Sequence, residues 1–231
     1  MRSIADMPDA TAARIRVVFT DIDDTLTTHG RLPACAYRAL EDLTSAGISV
    51  APITGRPAGW CDMIARMWPV AGVVGENGAF YFAYDQTARI MRRAFAVPAE
   101  TRAADRIRLQ ALRTQILTEV PGAAISADQL YREADLAIDF CEDVPALPKV
   151  DVARIQAIFE SAGAVAKVSS IHVNGWYGDY DKLTTPQEFG KNPNIGASFG
   201  LSPAKAHSFL VASRSSPRIS AANRRDMVNL S

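Results

Sequence analysis

Apolar positions set the first half of the chain into alternating runs. Val17, Val18 and Phe19 form a short continuous apolar stretch that breaks into an acidic loop. Such a run, rich in β-favouring residues and bounded by polar ones, predicts an interior parallel strand over about 15–20. Pro33 then suits a first helical turn. Tyr37, Leu40 and Leu43 recur at helical spacing, and Gly47 is a suitable stop. A second strand is predicted over 48–53, ending in Thr54-Gly55-Arg56. A helix from Pro57 carries Trp60, Ile64 and Met67 on one face, and a third strand follows over 70–74. The order β-α-β-α-β predicts parallel strands with right-handed crossovers.

After Glu76-Asn77-Gly78 the pattern changes. An aromatic run over 80–84, a turn at Asp85-Gln86-Thr87 and a return over 88–95 predict a hairpin. A long helix follows over 98–118, with Ala104, Ile107, Ala111 and Ile116 on or near one side. Strands are expected over 123–126 and 136–140. A helix led by Pro148 turns Val152, Ile155, Phe159 and Ala162 inward, and strands over 165–168 and 171–173 complete the series. Antiparallel strands with helices on one face form a self-contained α+β layer. The expected organisation is therefore a Rossmann-like α/β core, 1–84 and 179–231, with an inserted αββαββ domain over 85–178. Trp176 and Tyr177, where the chain returns, are open to two readings: residues facing a sugar, or loop anchors.

Composition narrows the function. The chain has 231 residues and 48% hydrophobic content, enough for a sizeable core. Lys plus Arg equal Asp plus Glu at 25 each, so charge makes no case for nucleic acid or an anionic membrane. No apolar run approaches the ~18 residues of a membrane span, and residues 1–14 lack the apolar segment of a signal peptide. Cys35, Cys61 and Cys141 are far apart and read as buried free thiols in a reducing cytoplasm. His29, His172 and His207 have no metal-ligand spacing.

The chemistry concentrates at the strand ends, where open α/β sheets hold their ligands. Asp21 and Asp23 stand two apart after the first strand. Carboxylates that close repel unless a cation lies between them, and hard oxygen ligands suit Mg²⁺. Asp-x-Asp by itself also serves as a turn cap. Thr54 follows the second strand, and Lys182 lies where the chain re-enters the core. A carboxylate nucleophile, a hydroxyl, an amine and a metal together suit phosphoryl transfer.

Asp21-x-Asp23-x-Thr25, Thr54-Gly55-Arg56 and Lys182, with an αββαββ insert between the second and third, resemble the first three motifs of the haloacid dehalogenase (HAD) superfamily, class IIB. Glu76-Asn77-Gly78 is also similar to that subgroup, which includes sucrose-phosphate and trehalose-6-phosphate phosphatases and phosphomannomutases. The resemblance covers residues 15–185. It implies a cytoplasmic, Mg²⁺-dependent phosphatase of a small phosphorylated metabolite, a sugar phosphate or phosphoglycerate type. By position, Asp21 is nucleophile and metal ligand. Asp23 is acid/base and a metal ligand through its backbone carbonyl, Thr54 binds the phosphoryl oxygens, and Lys182 offsets charge. Gly55, Arg56 and Asn77 are the substrate-side candidates, each with a plainer reading as a turn or helix-start residue. A phosphomutase of the same superfamily is the alternative reading.

The resemblance stops after Lys182. The superfamily's fourth motif places further acids after a strand, but residues 183–231 contain only Glu188 and Asp226. The nearest apolar run, 209–212, leads into Ser213-Arg214-Ser215-Ser216, and Pro186 falls where a helix is wanted. The tail is either a replaced C-terminus or a divergence that lost half the metal site. Three expectations follow. The tail brings no acidic ligand to Asp21, one flank of the first strand lies open, and the polypeptide is a phosphatase with weak Mg²⁺ affinity or a silent binding protein.

Overall fold

The computed structural model describes residues 7–182 and 209–212. The chain divides into two compact units. One contains Met1–Arg56, Trp60–Ala94 and Tyr180–Ser231, and the other Pro57–Gly59 and Phe95–Asp179.

The first unit is built on a six-stranded sheet in the order β10-β1-β2-β3-β4-β5. Its strands are β1 (Val17–Asp21), β2 (Ser49–Ile53), β3 (Val73–Gly75), β4 (Phe80–Asp85), β5 (Ile90–Phe95) and β10 (Phe209–Ala212). β10, β1, β2 and β3 run parallel, and β4 is antiparallel to β3. A short helix, α1 (Asp9–Ala12), precedes β1, and α2 (Ala34–Ser45) and α3 (Ala58–Met67) make the crossovers. The fold is α/β with a Rossmann-like parallel sheet, as the alternating pattern predicts.

Every residue of β1 is buried because both faces are covered. Val17 and Phe19 pack with Ala51, Ile53, Val74 and Tyr81. Val18 packs on the other side with Leu40 and Val50, flanked by Leu43, Ile48 and Trp68. A strand buried twice reads as a continuous apolar run, not an alternating one. Gly47 ends α2 with φ +75°, the left-handed value expected at a glycine stop.

Several expectations are corrected. The flank of β1 is not open: Val17–Thr20 pair with Phe209–Ala212 in register. The β-branched and apolar run at 209–212 supplies a strand despite its polar, proline-punctuated surroundings. The third strand begins at 73, because residues 70–72 are spent in the turn where Ala71 N–H donates to Val50 O. In α3 the buried side is Cys61, Ile64 and Ala65, whereas Trp60 and Met67 are exposed. Ile107 is likewise exposed. Of the cysteines only Cys61 is buried, and all three are free thiols.

The second unit holds α4 (Ala99–Glu119), β6 (Ala124–Ile125), β7 (Asp135–Asp139), α5 (Lys149–Ser161), β8 (Val165–Val168) and β9 (His172–Trp176). Its strands form an antiparallel sheet, β6-β7-β9-β8. Leu109, Leu112 and Ile116 of α4 and Ile155, Ile158 and Phe159 of α5 cover one face. Gly175 lets the α5 helix approach, since a Cβ there would lie 2.2 Å from the Phe159 ring. Tyr177 is a core anchor of this unit: it is buried in the same cluster, and its hydroxyl donates to Ala162 O.

A buried polar knot fixes the loop between β6 and β7. Arg132 donates to both oxygens of Asp135, at 3.0 and 3.1 Å, and to both of Asp128, at 2.9 and 3.0 Å. Asn174 adds a 3.0 Å bond to Asp135, and Ser126 one of 2.7 Å to Asp128. Burial pushes the Asp128 carboxyl up, but the hydrogen bonds and charge of Arg132, with Ser126, outweigh it. Its net shift is below the ordinary carboxylate value. This coupling therefore stabilises the unit above the ordinary carboxylate range and is lost as pH falls through the lowered value. Removing the guanidinium strands two acids, so Arg132→Met should cost about 3–5 kcal/mol. Urea unfolding followed by circular dichroism measures this, and a loss below ~1 kcal/mol would show the knot to be dispensable.

Candidate active site

The C-terminal ends of β1 and β2 carry the candidate residues side by side. Asp21 is the last residue of β1 and pairs in register with Ile53, so Thr54 follows one residue beyond it. The sheet continues from β1 to β10 on one side and to β2 on the other. Sequence order therefore reverses at β1, the kind of position where open α/β sheets bind ligands.

The loop after β1 folds tightly back on itself. Ile22 O accepts from the N–H groups of Leu26 and Thr27 and from Thr27 Oγ1, which also accepts from Asp24 N–H. Asp24 takes φ +56°, a left-handed value that Asp tolerates. Asp21 is buried and its Oδ1 accepts from Ile22 N–H at 2.8 Å. Lys182 Nζ lies 3.2 Å from Asp21 Oδ1 and 3.1 Å from Oδ2. An amine 161 residues away in sequence thus faces both oxygens of the first motif's leading carboxylate.

Asp23 is exposed and pairs with Arg56. Arg56 Nη2 and Nε lie 2.8 and 3.3 Å from Asp23 Oδ1, and neither of these contacts uses Oδ2. The motif-two loop is held by its own backbone. Thr54 is fully buried, its Oγ1 accepts from Arg56 N–H at 3.0 Å, and its carbonyl accepts from Asn77 N–H at 3.0 Å. Glu76 N–H donates to Arg56 O. Asn77 is buried with φ +59° and supports this loop from within: a Cβ on Gly55 would lie 3.2 Å from Asn77 Oδ1, so Gly55 leaves room for the amide.

The candidates therefore form two pairs, Asp21 with Lys182 and Asp23 with Arg56, beside Thr54 and the Gly55–Asn77 support. Periodicity puts Trp60 on the inward face of α3, but it is exposed beside Arg56. Its ring lies under the Arg56 guanidinium, 4.7 Å from Cζ to centroid. No helical spacing signals this contact, because Arg56 precedes α3 (Ala58–Met67) and stands on the loop after β2.

The two acids are hard oxygen donors of the kind a divalent cation takes. Among the described residues no group of three His, Cys, Asp or Glu stands where it could hold a metal. The donor set fits Mg²⁺ as an ion shared with phosphate oxygens and water, through one or two carboxylates. The expectation that Glu188 and Asp226 stay away from Asp21 falls outside the described residues. No helix among the described residues is long and apolar enough to cross a membrane.

Residues 18–114 match the family model of haloacid dehalogenase-like hydrolases. No curated protein matches the chain by sequence. Among solved structures, the C-terminal domain of Candida albicans trehalose-6-phosphate phosphatase matches with TM-score 0.65 and 13% identity, over 87% of this chain and 70% of that one. Synechocystis sucrose-phosphatase, solved with sucrose and phosphate, matches with TM-score 0.55 and 16% identity, over 85% and 74%. A sugar phosphatase of HAD subclass IIB matches with TM-score 0.54 and 13% identity, over 85% and 80%. At these identities the likeness is one of fold.

Proposed function

We propose that this chain, whose residues 18–114 match the family model of haloacid dehalogenase-like hydrolases, hydrolyses the phosphate ester of a small metabolite, of the sugar-phosphate or phosphoglycerate type. The observation that carries this reading is the contact of Lys182 with both oxygens of Asp21. A buried carboxylate beside an amine, at the end of a parallel strand, suits nucleophilic attack on an anionic phosphoryl group.

Asp21 attacks phosphorus, and the bond from phosphorus to the ester oxygen breaks. The leaving alkoxide takes a proton from Asp23. The aspartyl-phosphate is then hydrolysed by a water that gives its proton to Asp23, which releases inorganic phosphate and restores Asp21. Lys182 offsets the charge of the nucleophile and phosphoryl oxygens, and Thr54 donates to those oxygens. Asp21 through its carboxylate and Asp23 through its backbone carbonyl would hold Mg²⁺, which would supply charge compensation at phosphorus. Gly55, Arg56 and Asn77 shape the substrate side. The second unit serves as the cap that selects the metabolite, a role supported by its own sheet and core within Phe95–Asp179.

The test is release of inorganic phosphate by the purified chain from p-nitrophenyl phosphate and a panel of sugar phosphates and phosphoglycerates, across a Mg²⁺ titration. The expected result is Mg²⁺-dependent release from at least one ester, with half-saturation above the micromolar range because the described carboxylates are few. No release from any ester at any Mg²⁺ concentration would refute the reading.

A further inference from the structure

We infer that Trp60 is a positioning residue for Asp23, acting through Arg56; this rests on the phosphatase reading above. Asp23 is exposed on a loop, so nothing in β1 fixes its carboxylate in one orientation. Its restraint comes from Arg56, whose Nε and Nη2 both grip Oδ1. An isolated exposed ion pair is a weak restraint, because two long side chains lose entropy in forming it. Arg56 is not isolated, however. Its backbone is pinned by Thr54 Oγ1 and by Glu76 N–H, and its guanidinium lies over the Trp60 ring.

The geometry divides the labour. Trp60 lies in the first turn of α3, four residues after Arg56, on a helix anchored by buried Cys61, Ile64 and Ala65. The ring is thus a rigid platform, which explains why a large apolar residue stays 44% exposed. A cation over an indole face is attracted by the ring quadrupole, and the indole is the strongest such partner. With the plane of the guanidinium set by the ring, its fork points at one oxygen of Asp23. Oδ2 is left to the leaving group and then to water. Nothing in the roles of Asp21, Thr54 or Lys182 requires Trp60, so the position is assigned by this contact alone.

The consequence is selective. A general acid matters when the leaving group is an alkoxide, which needs a proton as it departs. It matters little for p-nitrophenolate, which leaves as a stable anion. The kcat/KM value reports the step that cleaves the ester, so it separates the two cases. Trp60→Leu should lower kcat/KM for an alkyl phosphate about tenfold, since small misplacements of a catalytic group cost up to ~10²-fold. For p-nitrophenyl phosphate the change should stay under about twofold. Trp60→Phe, which keeps a π face, should recover most of the alkyl activity.

The experiment compares both substrates in the wild-type chain and in both variants, with melting temperatures measured alongside. Selective loss in Trp60→Leu with recovery in Trp60→Phe establishes the role. Equal loss on both substrates, or none on either, overturns it while the phosphatase reading stands. If Trp60→Leu melts far below wild type, Trp60→Phe against Trp60→His at matched stability decides by the same substrate ratio. The alkyl phosphate is the panel ester that the wild-type chain hydrolyses; release from no ester of the panel overturns the phosphatase reading, and this role with it.

Discussion

Asp21→Asn should reduce phosphate release to background, a loss of ~10⁴-fold or more, as removal of a covalent nucleophile does elsewhere. An amide oxygen is a poor nucleophile, and its acyl phosphate analogue does not form. The substitution is nearly isosteric. Asn keeps an oxygen that accepts from Ile22 N–H and from Lys182 Nζ, so the local hydrogen bonds survive. The lost attraction to Lys182 is modest, because that amine is partly exposed and its charge remains hydrated. Stability should therefore change by no more than ~1 kcal/mol. The check is steady-state phosphate release from a reactive aryl ester beside thermal unfolding of the same sample. Turnover within tenfold of wild type would place the nucleophile elsewhere. Inactivity with a collapsed melting temperature would instead be read as loss of fold, and Asp21→Glu would then separate reach from charge.

Much of the sheet was legible because its elements are encoded locally. β1 is a continuous apolar run that breaks into acids, and α2, β2 and α3 each have a proline or glycine near an end. The strand-end residues follow from the same reading, since a parallel sheet places consecutive strand ends together and brings Thr54 beside Asp21. Lys182 was found through its motif, but its contact with Asp21 spans 161 residues and no local pattern encodes it. What was misread depended on packing partners. Trp60 and Met67 satisfy helical periodicity for an inward face, yet α3 turns Cys61, Ile64 and Ala65 inward. Periodicity fixes which residues share a face, not which face meets the sheet, and Gly75 shows the crowding there: a Cβ on it would lie 2.6 Å from Cys61 Sγ. Ile107 fails for the same reason, because α4 buries the stripe of Leu109, Leu112 and Ile116. The strand at Phe209–Ala212 was discounted because its flanks are polar and rich in proline, although four apolar residues suffice to extend a parallel edge.

Asp23→Asn should be nearly as damaging as Asp21→Asn for alkyl phosphates, but it should fail in a different way. An amide neither gives nor takes the proton, and a positioned acid or base typically contributes 10²–10⁴-fold. For an alkyl ester both halves of the reaction suffer, so turnover should fall within that range with no accumulating intermediate. For p-nitrophenyl phosphate the first half needs no acid and proceeds. The second half still needs a base to activate water, so the aspartyl-phosphate on Asp21 should accumulate. The expected trace is a burst of p-nitrophenolate, close to one per active chain, followed by a slow steady state. Arg56 loses its ionic partner in this variant but keeps the Trp60 ring and its backbone bonds, so the loop after β2 is retained. Stopped-flow absorbance at a chain concentration high enough to see the burst is the measurement. Steady turnover at the wild-type rate would remove Asp23 from the reaction. A variant slow on both esters from the first turnover, with no burst, would move its role to ground-state geometry or phosphate binding and away from proton transfer.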